Sequence, residues 1–199
     1  MPKIVDHQKQ KEKLAEAAWR IIAEEGMEHA TVRRVAKEAG ISLGSLRHYF
    51  PTQSELLLFS MQLVLERIRK RASSLKLDGP PVEDMKLILR EILPVDEQKR
   101  YETEVWLAFT VKAMSEPSLR KFSNEIYEET KSAIFFIIQS LENLGLASPN
   151  LDVFLETERL YALIDGLALH HLQKGDEVTP KLMESVIELH LESLCRRNS

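Results

Sequence analysis

The amino-acid sequence predicts an all-α fold of about nine helices, with a small three-helix head followed by a larger helical body. Three observations carry that expectation. Apolar residues recur with helical period along the chain, no run of alternating β-branched residues is bounded by turns, and the periodic segments stop at glycines or prolines. A chain of 199 residues can bury cores for both parts without disulfide or metal staples.

A first helix is expected from about Asp6 to Glu25, with Leu14, Ala17, Ala18, Ile21 and Ile22 on one face and Gly26 as its stop. Thr31 is placed to cap a second helix carrying Val32, Val35, Ala36 and Ala39, which ends at Gly40. Ser42 caps a third helix through about Tyr49, and Pro51 closes it. A fourth opens near Thr52 and runs to about Leu77, ahead of Asp78-Gly79-Pro80-Pro81, the clearest linker signal in the sequence. Further helices are expected at about 82–93, 97–115, 117–145, 151–173 and 180–196. Pro94, the Glu116-Pro117 pair, Gly145 with Pro149, and the Gly175 to Pro180 turn separate them. The division that follows is a head at 1–51, a connecting helix and linker at 52–81, and a body at 82–199.

Charge is divided unevenly between these parts. Lys and Arg number 27 against 31 Asp and Glu, a net charge of −4. Residues 1–50 hold 9 basic and 7 acidic side chains, which leaves 18 basic against 24 acidic in the remainder. A basic head on an acidic body suits a protein that brings only its head to a polyanion. Cys195 is the sole cysteine, so an intramolecular disulfide framework and a thiolate metal cluster are both excluded. The polar start MPKIVDHQKQKEK lacks the apolar core of a signal peptide, and no apolar run approaches the ~20 residues that span a bilayer. A cytoplasmic protein with no membrane association is expected.

Residues 31–50, TVRRVAKEAGISLGSLRHYF, carry the most specific local signal. A helix that ends at Gly40, a buried Ile41 in the turn and a capped helix from Ser42 make a helix-turn-helix. Ile41 is expected to pack with Val35, Ala36, Leu46 and Phe50, so that Leu43, Gly44, Ser45, Arg47 and His48 face outward into a DNA major groove. The small Gly44 and Ser45 allow close approach to base edges. The Arg47 guanidinium can fork onto guanine O6 and N7, and Ser45 or His48 can bond base or phosphate.

This stretch resembles the TetR family, whose members show a pattern like TTVRDIAKEAGVSKGTLYHYFPSKEEL after the first helix, and the likeness covers about residues 10–58. The resemblance implies a homodimeric transcriptional repressor that binds a double-stranded DNA operator and answers to a small-molecule effector. It also implies that Thr31 and Tyr49 hold phosphates, that Arg33 stands where some members touch a base, and that residues 43–48 form the reading helix. Arg47 departs from the usual tyrosine. Gln53 departs from a lysine that grips phosphate, although the backbone N–H groups at that helix start can still face one.

In the body, broad apolar faces at 151–173 and 180–196 include Leu160, Ile164, Leu167, Met183 and Ile187. Resemblance to the family assigns these two helices to a dimer interface, while completion of the monomer's own core is the alternative reading of the same residues. Aromatic residues gather between 106 and 136, and Trp106, Phe109, Phe122, Tyr127 and Phe136 are the candidates for an effector pocket. The segment from WLAFTVKAM to LIDGLALHHL resembles the subgroup that includes the choline-responsive BetI repressors, which does not by itself name a ligand. Glu104, Asp165 and the aromatics are suited to a cation.

Enzymatic readings fail on context. Gly40-Ile41-Ser42-Leu43-Gly44 has the spacing of a nucleophile elbow, but the preceding VRRVAKEA is helical and the required sheet is missing, so Ser42 is read as a helix cap. His170 and His171 point about 100° apart on a helix and cannot easily share an ion. No Gly-rich dinucleotide or phosphate loop occurs, and no cofactor is expected.

Overall fold

The computed structural model describes residues 7–196, so the expected start at Asp6 lies outside the described residues. Nine α-helices are present among them: α1 His7–Glu25, α2 Val32–Glu38, α3 Leu43–Tyr49, α4 Gln53–Ser73, α5 Pro81–Leu89, α6 Glu97–Ser115, α7 Pro117–Asn143, α8 Val153–Lys174 and α9 Pro180–Leu194. A 3₁₀ turn at Met27–His29 follows α1, and the described residues hold no strand beyond a single bridge between Ala147 and Cys195. Two helices are shorter than expected. The α4 helix stops at Ser73 and α5 at Leu89, because Ser74 and Leu75, like Glu91 and Ile92, bond back three residues in tightened closing turns.

The chain forms two compact units that do not follow its linear order. The first comprises the residues up to Lys70 together with Tyr101–Ser123, and the second comprises Arg71–Arg100 with the residues from Asn124 onward. Most of α6 and the first turns of α7 therefore fall in the same compact unit as the head.

In the first unit, Leu14, Ala17, Ala18 and Ile21 of α1 meet Val35 and Ala36 of α2, Leu46 of α3, Phe50, and Leu56, Leu57 and Met61 of α4 in a closed core. Behind α2, the Arg34 guanidinium donates to Glu25 at 3.1 Å and to Glu38 at 3.0 Å. Those bonds hold both carboxyls below their ordinary range, and the ion cluster ties α2 to α1. At the other end of the unit, the Ser54 hydroxyl on α4 donates to Glu116 at the α6–α7 corner.

The second unit packs Met85 and Leu89 of α5 and Ile134, Ile137, Ile138 and Leu141 of α7 against α8 and α9. Leu160, Ile164, Leu167, Met183 and Ile187 are all buried in this core, none more than 8% exposed, so they pack into the chain's own interior, the alternative reading of the same residues. The reason is geometric: the most apolar stripe of each helix turns inward, where burial removes the most surface from water.

Candidate nucleic-acid interface

The turn between α2 and α3 is built by backbone rules that the sequence spells out. Gly40 has φ +67°, a conformation that strains any residue with a Cβ, and a Cβ there would meet open space, so the dihedral alone asks for glycine. The Ile41 N–H donates to the Ala36 carbonyl at 3.0 Å and the Gly40 N–H to Lys37 at 3.2 Å, the paired bonds of a Schellman ending. Ile41 is half-buried, less enclosed than expected. Ser42 then opens α3, its Oγ accepting from the Ser45 N–H at 3.0 Å. Thr31 caps α2 in the same way, accepting from the Arg34 N–H at 3.2 Å.

With Leu46 and Phe50 buried, the rest of α3 turns outward. Gly44, Ser45, Arg47 and His48 are exposed, and Leu43 and Tyr49 are half-buried. Arg33 on α2 is exposed beside them, and neither Arg33 nor Arg47 forms an ion pair among the described residues. Arg34, next in sequence to Arg33, is spent on Glu25 and Glu38. One face of the head thus holds two uncommitted guanidiniums, an imidazole, small residues and two capping hydroxyls whose protons remain available to donate. That set suits base edges and phosphates.

Two side chains are held by contacts that sequence spacing does not announce. Gln53 Nε2 donates to the Ala30 carbonyl at 3.0 Å and so fastens the start of α4 to the approach to α2. Lys11 on α1 is half-buried, with Nζ 5.5 Å from the ring centres of both Phe50 and Phe59, a cation-π contact that the spacing of residues on α1 could not reveal.

The aromatic candidates for an effector site separate between the units. Phe109 is fully buried and meets Phe122 edge-on at 5.8 Å in the first unit, where Trp106 is half-buried. In the second unit Phe136 is 69% exposed, so it lines no enclosed cavity in this unit. Tyr127 stacks on Tyr161 at 5.2 Å. Asp165, one turn beyond Tyr161 on α8, accepts no hydrogen bond among the described residues, and burial pushes its carboxyl up to about 6. Burial and the Asp165 charge push the Tyr161 hydroxyl up to about 12. Sequence reasoning singled out Asp165 but missed Tyr161, whose period on α8 matches plain core. A separate open cleft of about 250 Å³ between α5 and α9 is lined by charge: Lys86 pairs with Glu188 at 2.6 Å and Arg90 with Glu184 at 2.8 Å along its walls.

A capped, outward-facing second helix of a helix-turn-helix is the architecture of a DNA-binding transcriptional regulator. The chain belongs to the TetR family: the profile described as bacterial regulatory proteins, tetR family, matches residues 14–58, and that of the BetI-type transcriptional repressor C-terminal domain matches residues 81–196. It is 43% identical to the HTH-type transcriptional regulator PksA of Bacillus subtilis over 98% of this chain and 94% of that one. Among solved structures, a transcriptional regulator from Rhodococcus sp. Rha1 superposes with a TM-score of 0.81 at 28% identity, covering 92% of this chain and 95% of that one. A regulator from Saccharomonospora viridis, solved in complex with choline, shares the fold with a TM-score of 0.83 at 23% identity over 96% and 100% of the two chains. These relatives are transcriptional regulators, not enzymes.

Proposed function

We propose that the protein is a repressor that binds a near-palindromic operator as a homodimer and leaves it when a small, positively charged effector binds the helical body. The observation that carries the DNA-binding part is the outward face of α3, where Arg47 stands free of any ion pair on a helix capped by Ser42 and anchored by Leu46. One helix of seven residues reads too few base pairs to single out a site, so two copies are required.

The dimer reading moves from the buried residues to the outward stripes of the same helices. On α8, Leu155, Arg159, Ala162, Gly166 and Leu169 follow one another at spacings of four and three, the pattern of a helix-packing seam. On α9, Leu182, Ser185, Leu189 and Ser193 do likewise. Gly166 lies mid-helix, where glycine costs about 1 kcal/mol relative to alanine, and a Cβ there would meet nothing within 4 Å. Nothing inside the chain needs that glycine. A second copy of the chain laid closely along α8 would.

The effector class follows from Asp165. A half-buried carboxyl that accepts no hydrogen bond among the described residues, one turn from a stacked tyrosine pair, offers a charge and π faces to an ammonium group. The choline bound by the Saccharomonospora viridis regulator is of that chemistry, which makes choline the first probe. A hydrogen bond from Ser54 to Glu116 joins α4 to the α6–α7 corner and gives a movement of α6 a direct hold on the head. Binding energy that favours one setting of that corner would weaken operator affinity by about 5- to 150-fold.

The test is fluorescence anisotropy on a duplex that the protein selects from a random pool. Tight, two-copy binding that choline or another quaternary ammonium reverses supports the whole reading. Binding that no amine affects removes the effector part and leaves the regulator.

A further inference from the structure

The N-terminal turn of α1 carries a contact that the family resemblance does not cover. His7, the first residue of α1, lies seven residues before the matched segment begins at 14, yet its ring rests against the end of the reading helix. The His7 and Tyr49 ring centres are 4.6 Å apart at a tilt of 43°. His7 also approaches His48 edge-on at 6.1 Å, and His48 and Tyr49 meet edge-on at 5.6 Å, so three rings form a closed cluster. One turn further along α1, on the same side, Lys11 sits over Phe50 and Phe59.

We infer that His7 is a positioning residue for DNA recognition: its ring sets the direction of Tyr49 and His48 at the C-terminal end of α3. Helix α3 is short. Seven residues make two turns, too few to hold a helix end rigid unaided. The Ser42 cap fixes the N-terminal end, and buried Leu46 fixes the middle. At the C-terminal end, Phe50 is buried but His48 is exposed and Tyr49 half-buried, and both side chains would otherwise exchange rotamers in solvent. A third ring across them removes that freedom before DNA arrives, and an interaction made ready in advance gains affinity by cutting the ordering cost.

The role belongs to the ring and not to a charge. A cationic role would depend on phosphate contact and would show in the salt dependence. Ring packing depends on shape and edge-to-face geometry, so another aromatic side chain replaces it.

The experiment measures full-length chain binding by fluorescence anisotropy to two duplexes: one selected by the wild-type protein from a random pool, and one of scrambled sequence. His7→Ala is expected to weaken the selected duplex about 5- to 10-fold, to change the scrambled duplex by less than about twofold, and to leave the salt slope as in wild type. His7→Phe is expected to restore wild-type affinity within about twofold, whereas His7→Lys is not. Circular dichroism and thermal unfolding check that each variant is folded, as expected for an exposed residue at a helix end. The inference is overturned if His7→Ala binds the selected duplex as tightly as wild type, or if it weakens both duplexes equally. It is likewise overturned if Lys rescues with a restored salt slope while Phe fails, since His7 would then be a phosphate contact. All of these outcomes are read against the wild-type protein's own selected duplex, so they are separable from failure of the effector or dimer readings.

Discussion

Asp165 should make the folded protein less stable at neutral pH than it would be with asparagine in its place. Its carboxyl is pushed from the ordinary 3.8 to about 6, and burial is the cause. Felt in full, a difference of that size costs about 3 kcal/mol once the group is charged. The residue is only half-buried, and screening by solvent brings the expectation down to about 1–2 kcal/mol. The sign follows from proton binding: the folded state holds the Asp165 proton more tightly than the unfolded chain, so the cost is absent below about pH 4, grows as pH rises, and is complete above about pH 6. Asp165→Asn removes the charge while keeping the shape. Urea unfolding of both proteins from pH 4 to 8 should show the variant more stable by about 1–2 kcal/mol at pH 8, with the gap closing towards pH 4. A gap that is absent at pH 8, or that does not change with pH, would refute the claim that an uncompensated charge is held there. If the variant is more stable and also deaf to quaternary ammonium ligands, the carboxyl is kept for binding at the expense of stability.

Three further outcomes follow from the same structure. Leu189→Glu, on an exposed position of α9, should leave monomer stability within about 0.5 kcal/mol but raise the dimer dissociation constant at least about 30-fold, because the loss occurs twice across a two-fold interface; sedimentation showing an intact dimer at nanomolar concentration would remove that face from the interface. Ile187→Asp, in the core, should unfold the second unit and not merely split a dimer, which near-ultraviolet circular dichroism distinguishes. Ser42→Ala removes the α3 cap and should cost about 1 kcal/mol of head stability while weakening selected DNA, whereas an unchanged unfolding midpoint would mean the Ser45 N–H finds another partner.

Apart from the ends of α4 and α5, helix boundaries were legible because they are written in local chemistry. Gly26, Gly40 and Gly145 take positive φ where the sequence places the stops, and Thr31, Ser42, Asp152 and Thr179 each cap the helix that follows. The exposed face of α3 was legible for the same reason, since burying Leu46 turns Arg47 and His48 outward. Which stripe of α8 is buried was not. Hydrophobicity ranks Leu160, Ile164 and Leu167 above Ala162 and Gly166, yet the first set fills the chain's own core and the second lies on the open side of α8. Pairing at long range was equally hidden: nothing near Gln53 announces an acceptor 23 residues away at Ala30, and nothing near His7 announces Tyr49.

The exposed face of α3 is proposed to read DNA bases, and Arg47, the long donor in the middle of that face, is the residue on which to test it. Affinities of wild type and Arg47→Ala should be compared on the selected duplex and on the scrambled one at a single salt concentration. The expected result is a loss of about 1–3 kcal/mol on the selected duplex, roughly 5- to 150-fold, with little change on the scrambled one. An equal loss on both would make Arg47 a phosphate contact, and no loss on either would contradict the assignment of α3 as the reading helix.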